Sequence, residues 1–596
     1  MNIVSIFFNF KMDSSFSVFF TVVIIFLFFN GTTMVESLNL SLPSLEDGSS
    51  RRELAGIQTS FKLPSPLPNW PPGGGFGGGT MDLGGLQVSQ VSTFDKIWAA
   101  NEGGPGNVGA TFYNPVSIPQ GFFTLGFYSQ PNNMPLFGHV LVGKDVTNDS
   151  SNPTLKLPID YTLVWSSVSL NIKKDGDAYI WFPNPPDGYR AIGYVVTSTP
   201  DKPPLERVRS VRSDLTDSLE NDTWIWGPNK SLNVNGFNVY STRPINRGVE
   251  AMGAPMGGFV VENGIGSNTL SISCLKNLKG SLVNLMPNLN QIETLVQTYS
   301  PLVYFHPNEL YLPSSVDWFF QNGALVYHKG DESNPIPIAQ NGSNLPQGGS
   351  NDDTYWLDLP KDGSSKERVK KGDLQDSNAY FHIKPMYGGL FTDIAIWLFY
   401  PFNGASRAKV GLINISLGKI GEHVGDWEHV TLRVSNFNGE LNSVFFAQHS
   451  WGTWVSASVL EYASGNKPVV YSSLNGHASY PKPGLVLIGP QGVDIGIRDD
   501  TAKSDKVMDT GVRTMVVAAE YLGSIVVEPP WLNYLRKWGP KIDYDLDKEI
   551  NKLEKVMIGK LKSAFDKLIK SIPREVLGED GPTGPKVKNS WSRDEM

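Results

Sequence analysis

A mostly β protein is what this sequence predicts, on three observations. The chain carries 60 glycines and 42 prolines beside 31 Phe, 21 Tyr and 15 Trp, a composition that favours turns and strands over long helices. A six-residue pattern, G-x-x-x-(Leu/Ile/Met)-G, recurs as GFFTLG (121–126), GYRAIG (188–193) and GVEAMG (248–253). From 299 to about 540, short apolar runs such as LVYF (302–305), IAIWLFYPF (394–402) and SVFFAQ (443–448) are separated by Asn-, Gly- and Ser-rich loops.

At 596 residues the chain exceeds one ordinary core, so several domains are expected. A formal net charge of −8 without a basic run excludes a nucleic-acid partner, because phosphate binding draws on clustered Lys and Arg. The single cysteine, Cys274, excludes an intramolecular disulfide framework and a Cys-based zinc site.

In chain order, residues 1–35 hold the uncharged run FSVFFTVVIIFLFF (16–29) after Lys11. It has the length of a signal-peptide core and approaches the span of a membrane anchor, and both readings stay open. Residues 36–80 end in FKLPSPLPNWPPGGGFGGGT and read as a Pro/Gly-rich linker. Residues 81–262 contain the three glycine repeats, each preceded by a tryptophan, Trp98, Trp165 or Trp226. Three small sheets that cannot bury their faces alone suit a threefold β-prism-like domain, with the glycines marking turns and close sheet packing.

Residues 263–298 have apolar positions at three-to-four spacing around Pro287 and are expected to form a helical connector. Residues 299–540 form a second mostly β domain. Residues 541–596 begin with an amphipathic stripe, Leu546, Ile550, Leu553, Met557, Leu561, Ala564 and Leu568, and end in a loose tail.

GEHVGDWEHV (421–430) concentrates polar side chains at the entrance to a strand. Alternation puts Asp426 and Glu428 on one face, and Trp427 and His429 on the other. Two carboxylates about 7 Å apart repel each other and lose hydration, so a positive partner is expected between them. His423 can reach the same place, and one imidazole with two carboxylates suits a divalent cation, Mg²⁺, Ca²⁺ or Mn²⁺. Pairing with Lys or Arg is the structural alternative. His449 in AQHSWGTW and His477 in LNGHASYPKPG are further ligand or acid/base candidates, and Trp451, Trp454 and Tyr480 an aromatic rim. No Ser or Cys nucleophile motif accompanies the histidines.

From about 61 to 596, FKLPSPLPNWP, FYNPVSIPQGFFTLGFYSQPNN, YSPLVYFHPNELYLPSSVDWFF, GEHVGDWEHVTLRV and LNGHASYPKPG resemble the plant family labelled vacuolar protein sorting protein 62. The second domain is more distantly similar to the necrosis-inducing, ethylene-inducing-peptide-like cytolysins. Their G-H-x-H-D-W-E heptad sits in a β-sandwich whose metal site engages sphingolipid head groups. That resemblance implies a β-sandwich for 299–540, with His423, Asp426 and Glu428 as ligands. The second heptad histidine is Gly425 here, and a family aspartate falls near Asn403. The first domain resembles the lipid-binding β-prisms of trafficking proteins.

The resulting expectation is non-catalytic, divalent-cation-assisted binding of a lipid or glycan head group at a membrane, in a trafficking context, on the endomembrane or secretory route if the N-terminal apolar segment is real and otherwise as a cytoplasmic peripheral protein. A metal-dependent hydrolase built on the same cluster, with His449 or a carboxylate activating water, and a structural trafficking scaffold are the alternatives.

Overall fold

The three glycine repeats belong to three similarly built strand sets. Each set has one antiparallel three-stranded sheet: Phe94–Ala100, Ala110–Pro115 and Tyr128–Pro131; Asp160–Ser166, Tyr179–Asn184 and Val195–Thr197; Leu219–Trp226, Asn238–Pro244 and Phe259–Glu262. Trp98, Trp165 and Trp226 meet where the sheets converge, with ring centroids 5.5 to 5.9 Å apart. The leading glycines Gly121 (φ 81°), Gly188 (φ 79°) and Gly248 (φ 138°) take backbone conformations that L side chains rarely adopt. Gly126 and Gly193 pack back to back, so a Cβ on Gly126 would lie 2.6 Å from the Gly193 Cα. The repeat is therefore a packing device.

The computed structural model describes residues 60–228, 236–262, 271–489, 495–542, 544–555, 559–571 and 581–595. The apolar run at 16–29, read as a signal peptide or anchor, lies outside them. Among the described residues no helix is long and apolar enough to cross a membrane.

Six strands form the central sheet of the second half: β1 (Ala379–Met386), β2 (Phe391–Asn403), β3 (His423–Ser435), β4 (Leu441–Gln448), β5 (Trp451–Ser456) and β6 (Thr514–Ala518), in the order β5-β4-β3-β2-β1-β6. β2 and β3 are long and mostly buried, and β2 is heavily apolar, as a strand covered on both faces should be. One face, through Ile394, Ile396 and Leu432, packs with Val303, Val470 and Met508 of a second sheet and with the helix Leu289–Tyr299. The other, through Trp397, Phe399 and Trp427, packs on Trp531, Trp538 and Trp591.

Three expectations need correction. Residues 60–80 do not behave as a linker: Phe76 is buried, Trp70 Nε1 donates to Asn438 O at 2.9 Å, and Gly77 N donates to Asn436 O at 2.9 Å. Proline and glycine preclude a regular ladder there, yet the interspersed aromatics still dock on the core. Among its described residues the connector is helical only over Leu289–Tyr299, started by a reciprocal cap in which Asn288 and Gln291 each accept from the other's backbone N–H. Before Pro287, Cys274–Lys276 is a strand paired with the first half. The tail is not loose over 581–595, where Trp591, Asp594 and Glu595 are buried.

Met557 lies outside the described residues, and the rest of the amphipathic stripe falls in two helices, Leu546–Lys555 and Lys560–Ser571. Phe565 and Leu568 are buried against Ala408, Val410, Leu417 and Ile497, part of the small sheet beside the cleft described next.

Candidate functional site

β3 pairs with β4 only from Val430–Phe446 to Val434–Leu441, so its His423–His429 end diverges from β4 and opens a cleft of about 360 Å³. Asn403, His423, Asp426, Glu428, His449 and Trp451 line it, and the segments Lys588–Ser590 and Arg593–Glu595 form part of its wall. Gly425 decides the entrance. Its φ of 70° falls within the β2–β3 pairing, whose register is the same on either side of it, Phe402–Val424 and Tyr400–Asp426. His423 comes close enough for its charge to act on Asp426.

Asp426 is held from behind. Its Oδ2 lies 2.8 Å from His477 Nδ1, the His477 ring stacks on Tyr400 at 3.9 Å, and His477 Nε2 faces Glu309 Oε2 at 3.8 Å, beyond hydrogen-bond reach. Glu309 is itself fixed by the backbone N–H groups of Leu310, Tyr311 and Asn475. Burial disfavours the His477 cation, but the Asp426 hydrogen bond and the Glu309 carboxylate more than offset it and push the group up to about 10. Burial also opposes ionisation of Asp426, yet His477 and His423 hold its carboxyl below the ordinary value.

A second pair stands across the cleft. His449 Nε2 lies 3.1 Å from Asp499 Oδ2, which also accepts from Tyr480 Oη. Burial pulls His449 down, and Asp499, then Glu428 and Asp426, raise it to about 9. Glu428, partly open to the cleft, is pushed up to about 8 by burial and then by repulsion from Asp426. His449 and His477 both adopt left-handed backbone conformations, φ 58° and 55°, at tight turns.

The sequence candidates separate accordingly. Asn403, His423, Asp426, Glu428, His449 and Trp451 share the cleft. His477 lies fully buried behind Asp426. Trp454 and Tyr480 are not part of a rim: Trp454 covers the Arg433 guanidinium at 4.1 Å, and Tyr480 is buried on Asp499. Trp451 and Trp454 are three residues apart on one strand and so face opposite ways. His429 packs on Trp397 at 4.2 Å, as alternation requires. Glu309, Asp499 and the 588–595 segment carry no local signal, because each meets the cluster across 50 or more residues of chain.

As to a cation, His423 Nδ1 donates to Gly425 O at 2.9 Å, which leaves Nε2 with its lone pair available to a ligand. A cation would also relieve the Asp426–Glu428 repulsion. Among the described residues, however, no three His, Cys, Asp or Glu side chains are arranged to hold a metal ion. The donor chemistry suits a cation, but the donors do not converge in this conformation.

A model of the vacuolar protein sorting-associated protein 62 family matches residues 57–595. No curated protein matches the chain. Among solved structures it is similar to GNIP1Aa from Chromobacterium piscinae, at 18% identity and TM-score 0.27, over 36% of this chain and 40% of that one. It is also similar to NLPPya in complex with glucosamine, at 12% identity and TM-score 0.20, over 39% and 74% of the two chains. A third is Necrosis and Ethylene inducing Protein 2 from the causal agent of cocoa's Witches Broom disease, at 15% identity and TM-score 0.15, over 30% and 74%. The chain thus spans two fifths of GNIP1Aa. Likenesses this weak carry no functional weight.

Proposed function

We propose a function for a chain that belongs to the vacuolar protein sorting-associated protein 62 family: non-catalytic recognition of a lipid or glycan head group in the β3 cleft, on the endomembrane route. The observation that carries it is the cleft itself, where polar side chains from β2, β3 and the β4–β5 turn converge beside Trp451, 48% exposed at its mouth. Small-ligand sites combine a few convergent polar groups with aromatic wall in this way.

Its protonation state suits binding of an acceptor-rich group. His449 and His477 keep their protons to about 9 and about 10, and Glu428 to about 8. Near neutral pH the cleft is therefore supplied with donors by His449 and Glu428, while His477 stands behind it on Asp426. Donors of this kind suit phosphate oxygens or sugar hydroxyls.

A divalent cation, Mg²⁺, Ca²⁺ or Mn²⁺, is the proposed accessory at His423, Asp426 and Glu428. The Nε2 lone pair of His423 and the repulsion between the carboxylates support it. The three sheets around the tryptophan triad support a β-prism reading of the first half, and the two sheets enclosing Ile394 and Val303 a β-sandwich reading of the second.

The test is binding of the full chain to vesicles of stated head-group composition and to a glycan array, with each cation or with EDTA. Asp426 is a poor probe because its loss strands His477, so Glu428→Gln and His423→Ala are used. Binding that both variants weaken at least roughly tenfold, about 1.4 kcal/mol, supports the site. Binding unchanged in both sinks it, and binding unchanged by EDTA removes the cation alone.

A further inference from the structure

The face of the central sheet that carries Trp397 and Trp427 also carries a row of charged and polar side chains: Lys384 on β1, Asp393 on β2, and His429, Thr431 and Arg433 on β3, neighbours across the register. Lys384 is fully buried. Among the described residues its hydrogen-bond partners are Ser590 O at 2.8 Å, Arg593 O at 3.2 Å and Glu595 Oε1 at 3.5 Å. All three belong to one short segment more than 200 residues away.

Both acidic side chains of that segment are bonded to this row. Glu595 Oε1 accepts from Thr431 Oγ1 at 2.8 Å and lies 3.2 Å from His429 Nε2. Asp594 Oδ1 accepts from Arg433 Nη2 at 2.5 Å, and its Oδ2 accepts from Tyr387 Oη at 3.2 Å and lies 3.3 Å from Arg247 Nε. Arg433 is pre-oriented by a two-point bond to Asp393, at 2.8 and 2.7 Å. The Trp591 ring stacks on His382 at 3.7 Å. Each acidic side chain thus meets several donors, some on the sheet and, for Asp594, Tyr387 and Arg247 beside it, as in recognition of a carboxylate ligand.

Open space borders the same segment on two sides. It walls the 360 Å³ cleft and, through Ser592–Asp594, a second cavity of about 680 Å³ against Ile245–Ala251. Ser592 and Arg593 between the anchors are exposed. A core element would be covered there.

We propose that this groove is a binding site for a short acidic peptide of the pattern Trp-x-x-Asp-Glu, filled in cis by Trp591–Glu595 and open to the same pattern in trans. The inference does not depend on the head-group reading.

The test uses the full chain with a site-specific protease sequence inserted within 572–580 and cut after folding, so that the segment is held only by its contacts. The probe is a fluorescent peptide, KNSWSRDEM, matching residues 588–596. Saturable binding to the cut protein is expected, and neutralising Asp594 and Glu595 in the peptide should weaken it at least roughly 100-fold, two charge-assisted bonds being lost. In parallel, uncut Glu595→Gln, its fold checked by circular dichroism, should bind the probe at least roughly tenfold better than the uncut parent, its own segment being the weaker competitor. Failure of the probe to enter the cut protein, equal binding of the neutral peptide, or equal binding by the folded Glu595→Gln chain would each overturn the proposal.

Discussion

His477 Nδ1 lies 2.8 Å from Asp426 Oδ2, and the pair is almost entirely removed from solvent on the face of β3 behind the cleft. The positive partner that the two carboxylates of DWE demand is thus supplied, for Asp426, by an imidazole 51 residues downstream.

Removing one partner of that pair leaves the other charged and buried. His477→Ala is expected to cost about 3–5 kcal/mol, read by urea denaturation. A loss under about 1 kcal/mol would mean that Asp426 is solvated or protonated in its place.

Stability should fall at both ends of the pH scale. Glu595 is held at about 2: burial raises it, but the charges of His429 and Lys384, with hydrogen bonds from His429 and Thr431, lower it further. Its contribution is present above the ordinary carboxylate value and lost as pH falls through about 2. His449 and His477 are raised, so their contribution is full below the ordinary imidazole value and lost as pH rises through about 9 and about 10. Unfolding midpoints measured from about pH 3 to 10 check both limbs.

Glu428→Gln separates charge from shape. Glu428 keeps its proton to about 8 in the fold but loses it near the ordinary carboxylate value when unfolded, so the parent loses stability between those two values and the variant, which cannot ionise, does not. At about pH 4 the two proteins should therefore differ by less than about 1 kcal/mol, and at about pH 8 Glu428→Gln should be the more stable. Thermal melts at the two pH values decide it.

Gly425→Ala should be damaging without touching a charge. The position has φ 70°, and an added Cβ would lie 2.5 Å from Trp538 O. A loss of roughly 1–3 kcal/mol in chemical denaturation is expected, together with weaker head-group binding as His423 leaves the cleft.

In the first half, Trp98→Ala opens the place where three sheets meet and should cost about 3–5 kcal/mol. A melting temperature unchanged by it would show that the triad does not hold the sheets together.

Local pattern alone determined a good deal of this protein: its β character, the three tryptophans and three glycine pairs, the face shared by Asp426 and Glu428, and the packing role of Trp427 and His429. These follow from strand alternation and glycine conformation, which act over a few residues. What only the tertiary structure decided is which charges meet. His477, Asp499, Glu309 and the 588–595 segment reach the β3 cluster from distant parts of the chain, and burial there turns ordinary side chains into strongly shifted ones. Electrostatic partnership depends on distance through the fold and on lost hydration, and neither quantity is written in the spacing of residues along a chain.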